Sequence, residues 1–343
     1  MKYIMRVLIL ILLVGFFMVP RIVPYHDMAG TITTLSDLKN DPMPHRETTV
    51  ELKTETVTAV VYDSNTIYKV GDQVLLQQDP QFSELYSVTD FVRTHSLIRL
   101  FILFLIVILV VSSWAGLRSL LGLLFSFSVI FKFVLPQIAL GSNPLMVALI
   151  ASLIILFVSY YLTHGINHKS TIAIMGTFGA LTLTGIMAIV FSNLSKLTGF
   201  GNEDVAFLIG QIPNASLYNL LLAGMIIGSL GVLDDITISQ ASIVAELSDT
   251  DKKLSKWELY KRAMNIGHDH ISSLVNTLVL VYAGSALPLL LLFIQSNASP
   301  FELLNYEAVA EEVVKTLVGS IGLVAAVPFT TLIASYWYGS KRR

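Results

Sequence analysis

Long apolar runs separated by short polar segments dominate the chain. They lie near residues 5–24, 97–115, 119–138, 144–162, 171–192, 216–235, 271–294 and 314–338. A membrane-spanning helix needs about 20 predominantly apolar residues. The pattern therefore predicts an all-α polytopic membrane helix bundle of about eight transmembrane helices. Residues 25–95 follow a different rule. "TTVELKTETVTAVVY" alternates with a period near two, and "TIYKV" and "QVLLQQ" flank Gly71-Asp72. Alternation with Val and Thr reads as strand, and a Gly-Asp pair between two runs reads as a hairpin. A small, barrel-like β-rich domain is expected there. The organisation is then an N-terminal signal anchor at 1–24, a β-rich domain at 25–95, and a transmembrane bundle at 96–343 with a loop at 248–268. The first run ends "FFMVPRIVPY", without a small-x-small cleavage site, so the anchor is expected to stay attached.

The distribution of Lys and Arg sets the expected orientation. Lys2 and Arg6 precede the first run. Arg118, Lys169, the terminal "KRR" and the group Lys252, Lys253, Lys256, Lys261 and Arg262 all fall on the same side if eight spans are counted. Both termini are expected in the cytoplasm and residues 25–95 outside, in a cell membrane.

Composition supports a membrane protein. The chain of 343 residues is 54% hydrophobic and 13% charged, with a mean hydropathy of +0.70. Soluble domains carry about 25% charged residues. The formal net charge of −2 gives no electrostatic reason to expect a nucleic-acid partner. The chain contains no cysteine, which removes disulfides, thiolate metal sites and cysteine nucleophiles.

Against this background the stretch "GVLDDITISQASIVAEL" (231–247) stands out, because an apolar helix there carries Asp234, Asp235 and Glu246. On a helix, residues three and four apart share a face. Asp235, Ser239, Ser242 and Glu246 step by four, three and four, with Gly231, Gly228 and Gly224 extending the face; Asp234 points elsewhere. Continued to 247, the helix from 217 would be about 46 Å long against a hydrocarbon core of about 30 Å. A carboxylate at membrane depth is costly and calls for a partner, water, a proton or a cation. Downstream, Asn265, Asp269, Ser272 and Asn276 repeat the same spacing. The two faces are expected to be neighbours and to form a carboxylate pocket. Pro288 is placed to kink the second of these helices.

These two stretches resemble the YibE/F-like family of bacterial multipass membrane proteins. The resemblance is carried by Gly231, Asp235, Ser239, Ser242, Glu246, Gly267, Asp269, Asn276 and Thr277, and covers roughly residues 85–295, including "VTDFVRTHSLIRLFILF". It implies an architecture and candidate positions rather than a reaction.

The leading expectation is a permease-like protein for a small solute or ion. Asp235, Glu246 and Asp269 would bind a cation or proton, and Ser239, Ser242 and Asn276 would supply neutral oxygens. No cofactor is expected beyond a bound cation. An alternative is a membrane-embedded metal-dependent hydrolase using Asp234, Asp235, Glu246, His268, Asp269 and His270 to activate water. On a helix His268 and His270 project about 200° apart, so both reach one ion only from irregular backbone. A third expectation is a non-catalytic assembly subunit. The expected partners are the lipid bilayer and a membrane protein or a second copy of the chain. Arg93, His95, Arg99 and Lys132 read as headgroup-seeking side chains, and His164 and His168 as loop residues. "GNEDVAFLIGQIP" (201–213), with Glu203 and Asp204 in its first turn, reads as a re-entrant or interfacial helix.

Overall fold

The apolar runs fold as helices, and the alternating segment folds as a closed barrel. The structure is a computed structural model that describes residues 2–22, 28–36, 45–53, 55–62, 66–78, 86–201, 205, 216–295 and 299–340. It divides into two compact units, Met1–Leu117 and Arg118–Arg343.

The first unit opens with α1 (Lys2–Ile22), which carries an apolar stretch at Val7–Met18. Five strands follow: β1 (Ala29–Leu35), β2 (His45–Glu51), β3 (Thr56–Tyr62), β4 (Gln73–Gln78) and β5 (Tyr86–Phe91). They close in the order β1-β2-β3-β5-β4. Every pairing is antiparallel except β3 with β5. The result is a small Greek-key barrel of the OB type. Period-two alternation places Ile32, Val50, Ala59, Val61, Val74 and Leu76 inside, where they form one apolar cluster with Tyr68.

The expected hairpin at Gly71-Asp72 is only half present. The turn is there: Gly71 has φ 97°, the Lys69 amide donates to Asp72 Oδ2 at 2.7 Å, and the Asp72 amide donates to the Lys69 carbonyl at 3.1 Å. Residues 66–69, however, are not strand. Tyr68 instead drops into the barrel core, its ring 4.6 Å from that of Phe91. β4 takes its partners from β1 and β5. Burial of one aromatic outweighs the local alternation.

The next helix, α2 (Thr94–Val129), runs through a π-helical turn (Ile130–Val134) into α3 (Leu135–Ala139). This stretch of 46 residues would be about 69 Å long if straight, more than twice the hydrocarbon thickness. It is not straight. Ser113 adopts φ 52°, ψ −127° and breaks the helix, so that a side chain at Gly116 would meet Ile108, eight residues back. The break falls two residues before the end of the run predicted at 97–115, just ahead of the gap that separates it from the run at 119–138. A non-glycine residue in such a conformation stores on the order of 1–3 kcal/mol. Ser113→Gly is therefore expected to stabilise the protein by about 1 kcal/mol, read as a higher melting temperature in detergent.

One flanking residue differs from expectation. His95 is buried rather than directed to a headgroup layer. Arg93 precedes α2 and pairs with Asp90, whose carboxyl it holds below the usual range by hydrogen bonding. Both side chains of that pair are more than half exposed, so the bridge contributes little to stability.

The second unit contains α4 (Pro144–His164), α5 (His168–Leu194), α6 (Leu217–Thr250), α7 (Lys256–Ser285), α8 (Leu287–Gln295), α9 (Pro300–Asn305) and α10 (Glu307–Ser340). Among the described residues, five helical stretches are long and apolar enough to cross a membrane: 94–139, α4, α5, α6 and 307–339. The predicted run at 271–294 is absent from this set because it is divided. α7 stops at Ser285, Ala286 turns, and α8 begins one residue before Pro288, whose ring prevents an uninterrupted helix. Ser255 and Glu258 cap α7 reciprocally, and the Ser255 hydroxyl and amide hold the Glu258 carboxyl below its usual range.

α5, α6 and α10 pack against one another and form the centre of this unit, with α4 against α6 and α7 against α10. The central contacts use small residues. A Cβ on Gly176 would strike Thr330 and lie 3.2 Å from its Cα, and a Cβ on Gly322 would strike Thr184. Close backbone approach through glycine is how helices gain packing where lipid supplies no hydrophobic drive. Outer positions such as Leu124 and Phe131 are apolar and more than 60% exposed, as a lipid-facing surface requires.

Candidate functional site

α6 presents three different faces to its surroundings. Its buried face carries Leu222, Ile226, Leu233, Ile236, Thr237, Gln240 and Val244. Here Gln240, fully buried, donates through Nε2 to the Ala263 carbonyl at 3.1 Å and to Thr331 Oγ1 at 2.7 Å. Gly267 of α7 packs on the same amide. This contact decides how α6 and α7 meet. Gln240 lies roughly 140° around α6 from Asp235, and Gly267 lies about 140–180° around α7 from Ser272 and Asn276. The two predicted polar faces therefore point away from the α6–α7 contact. Asp235 and Glu246 are exposed, Ser239 and Ser242 half-buried, and Asn265, Asp269 and Asn276 exposed. The carboxylate pocket expected between these faces does not form at that contact.

The metal-binding alternative fares similarly. Among the described residues, no three His, Asp or Glu side chains come together as ligands for an ion. His268 and Asp269 are exposed, while His270 is half-buried and turns Nδ1 inward without a hydrogen-bond partner. The stretch at 201–213 lies outside the described residues apart from Gly201 and Val205. The loop before it is held to α10: the Thr198 and Gly199 amides donate to Glu307 Oε1, and the Gly201 amide to Glu311 Oε1.

The third face of α6 opens a cavity. It has a volume of about 420 Å³ and is walled by α4, by the limb of α2 after Arg118, and by α6. Its polar lining is Ser119, Ser126, Ser159, Tyr160, Thr163, His164, Asp234 and Asp235. Gly122 makes the wall possible, because a Cβ there would strike Thr163 and lie 3.0 Å from Ser159 Oγ. Both carboxylates of the Asp234–Asp235 pair thus reach the cavity, one half-buried and one exposed. Asp234 Oδ1 is buried and has no hydrogen-bond partner among the described residues.

Beneath Asp234 three hydroxyls close on one another. Tyr160 OH lies 2.6 Å from Thr177 Oγ1 and 2.8 Å from Thr237 Oγ1, and the two threonines are 2.7 Å apart. Tyr160 also donates to the Asp234 carbonyl at 3.3 Å. One turn further along α4, His164 stands with its ring 6.2 Å from that of Tyr160, and it interacts with Arg118 and Asp235.

The sequence reading placed Asp235 in a site but gave Asp234 a place only in the metal alternative, and it left His164 in a loop. The structure puts His164 on the last turn of α4 and in the cavity wall. It also adds Ser159, Tyr160 and Thr163 from α4 and Ser119 and Ser126 from α2. The signal that could have found them is "SYYLTH" (159–164), a polar end on an otherwise apolar helix.

The YibE/F-like protein family model matches residues 100–340, well over half of the chain. The chain belongs to the YibE/F-like family. The match begins later than the resemblance drawn from the sequence, so the barrel lies outside it, and it runs beyond 295 to take in α10. α4, α6 and almost all of α2 fall within it, and with them the whole cavity. No curated protein and no solved structure matches the chain. Family membership and the apolar helices make it a multipass membrane protein.

Proposed function

We propose that this YibE/F-like protein is a permease for a small solute or ion, with its binding site in the cavity between α2, α4 and α6. The single observation that carries this reading is the 420 Å³ cavity with Asp234, Asp235 and His164 in its wall. Ionisable residues on membrane helices are rare and mark ion, proton or substrate pathways. Serine, threonine and tyrosine hydroxyls around them supply neutral oxygens for a polar cargo. The reading takes Ser113 as the turn between two crossings and α7 with α8 as one interrupted crossing. That gives eight crossings in the cell membrane, both termini in the cytoplasm, and the barrel outside.

The test is flux in liposomes containing the purified protein, with an internal pH dye and imposed gradients of H⁺, Na⁺, K⁺, Mg²⁺ and Mn²⁺. Gradient-driven flux that falls to the level of empty liposomes in Asp234→Asn supports the reading. Flux equal in wild type and Asp234→Asn contradicts it.

A further inference from the structure

We propose that the cation held by the Asp234 site is a proton, so that the cavity works by protonation of one carboxyl group rather than by coordinating a metal ion. This rests on the permease reading and names the ion on which it acts.

The geometry argues against a metal ion in three ways. First, the hydroxyl triangle of Tyr160, Thr177 and Thr237 has edges of 2.6, 2.8 and 2.7 Å. Neighbouring oxygens around an octahedral Mg²⁺ are roughly 2.9 Å apart and those around Ca²⁺ roughly 3.3 Å or more. At these separations the three hydroxyls hydrogen-bond to one another, so their oxygens are not spread as ligands around an ion. Second, Asp234 and Asp235 are adjacent on α6 and project about 100° apart, so they do not form a chelating pair. Third, no group of three His, Asp or Glu side chains among the described residues can hold a metal.

A proton suits the same geometry. An ionised carboxylate is an acceptor on both oxygens, whereas a protonated one keeps an O–H and needs fewer donors. Asp234 has one oxygen, Oδ1, buried and unpartnered. Its neighbour Tyr160 interacts with the carboxyl, but that hydroxyl is already within 2.8 Å of both threonines. Burying an acceptor without a donor costs about 1–3 kcal/mol, and more when it is charged. A carboxyl that gains and loses a proton meets this constraint by changing its own hydrogen-bonding needs.

The charged and titratable groups around Asp234 also provide a route. Asp235 lies beside it on α6, Tyr160 faces it from α4, and His164, further along α4 in the same cavity wall, interacts with Asp235 and with Arg118 on the limb of α2. α5 contributes the neutral Thr177. His164 stands at the end of α4 in the same cavity wall, where an imidazole can accept a proton on one nitrogen and release one from the other.

The experiment is infrared difference spectroscopy on the full-length protein in liposomes, stepped between pH 5 and pH 9 (a range of roughly two units on either side of neutrality). The expected result is a protonated-carboxyl C=O band that titrates in wild type and in Asp235→Asn, is lost in Asp234→Asn, and returns with a shifted midpoint in Asp234→Glu. The Glu variant separates loss of the group from loss of the fold. No titrating band in wild type, or a band displaced by millimolar Na⁺ or Mn²⁺, overturns the proposal. The readout does not depend on transport. A titrating band in a protein without flux leaves proton binding standing and removes the permease, and flux without a band does the reverse.

Discussion

Gly176→Leu is expected to leave little folded protein. Gly176 on α5 faces Thr330 on α10, and a Cβ there would lie 3.2 Å from the Thr330 Cα as well as striking its side chain. A clash with a flexible side chain can be relieved by rotation; a clash with backbone requires the helices to separate. α5 and α10 form the most extensive helix contact among the described residues, and Thr330 and Ala334 beside it are fully buried. Overpacking in a close-packed core costs about 1–3 kcal/mol, occasionally more. A leucine against backbone at this contact belongs at or above the upper end. Gly322→Leu, which would strike the side chain of Thr184 rather than its backbone, is expected to cost less. Size-exclusion profiles and thermal denaturation in detergent will show the loss. Because the clash is shared, Gly176→Ala combined with Thr330→Ala should destabilise less than the sum of the two single changes.

Asp234→Asn is expected to remove flux while leaving the fold intact. Asparagine keeps the volume and offers a donor, so the buried position stays filled and the neighbouring hydroxyls keep their ring. What disappears is the negative charge and the ability to carry a proton. If the carboxyl contributes only about 1.4 kcal/mol to holding the cargo, flux at low cargo concentration falls tenfold; if it carries the ion, flux falls to background. Asp235→Asn should lower flux less, because its side chain is exposed at the mouth. Glu246→Gln and Asp269→Asn should leave flux within about twofold of wild type, since neither lines the cavity. This ordering separates the structural account from the sequence pattern, which ranks Asp235, Glu246 and Asp269 together.

The contrast shows what was legible in the sequence. The helices were, because apolar runs of spanning length admit few other structures. The barrel was legible as strands, because Val50, Ala59 and Val61 alternate, but its turn at Gly71 misled, because the destination of Tyr68 is decided by the barrel and not by its neighbours. The break before Pro288 was legible from the proline. An interruption between the second and third apolar runs was legible from their separation, but its place at Ser113 was not, since no local residue forces it. For the site, spacing correctly put Asp235, Ser239, Ser242 and Glu246 on one face. It could not say which helix stands opposite. That depends on where Gln240 finds its buried partners, Ala263 and Thr331, which lie 23 and 91 residues away. Once α7 is pinned on the Gln240 side, α4 is left to face Asp234. Tyr160 then meets Thr237 across 77 residues of sequence.

The central claim is that the cavity beside Asp234 is a binding site that a cargo reaches from water. The chain has no cysteine, so single cysteines report directly. Thr163→Cys and Gly231→Cys place a thiol in the cavity wall, and Leu124→Cys places one on the exposed apolar surface. With the protein in liposomes, a membrane-impermeant, water-soluble thiol reagent should label the two cavity cysteines readily and the Leu124→Cys control at least tenfold more slowly. Cavity cysteines that label no faster than the control would show a dry cleft and contradict the account.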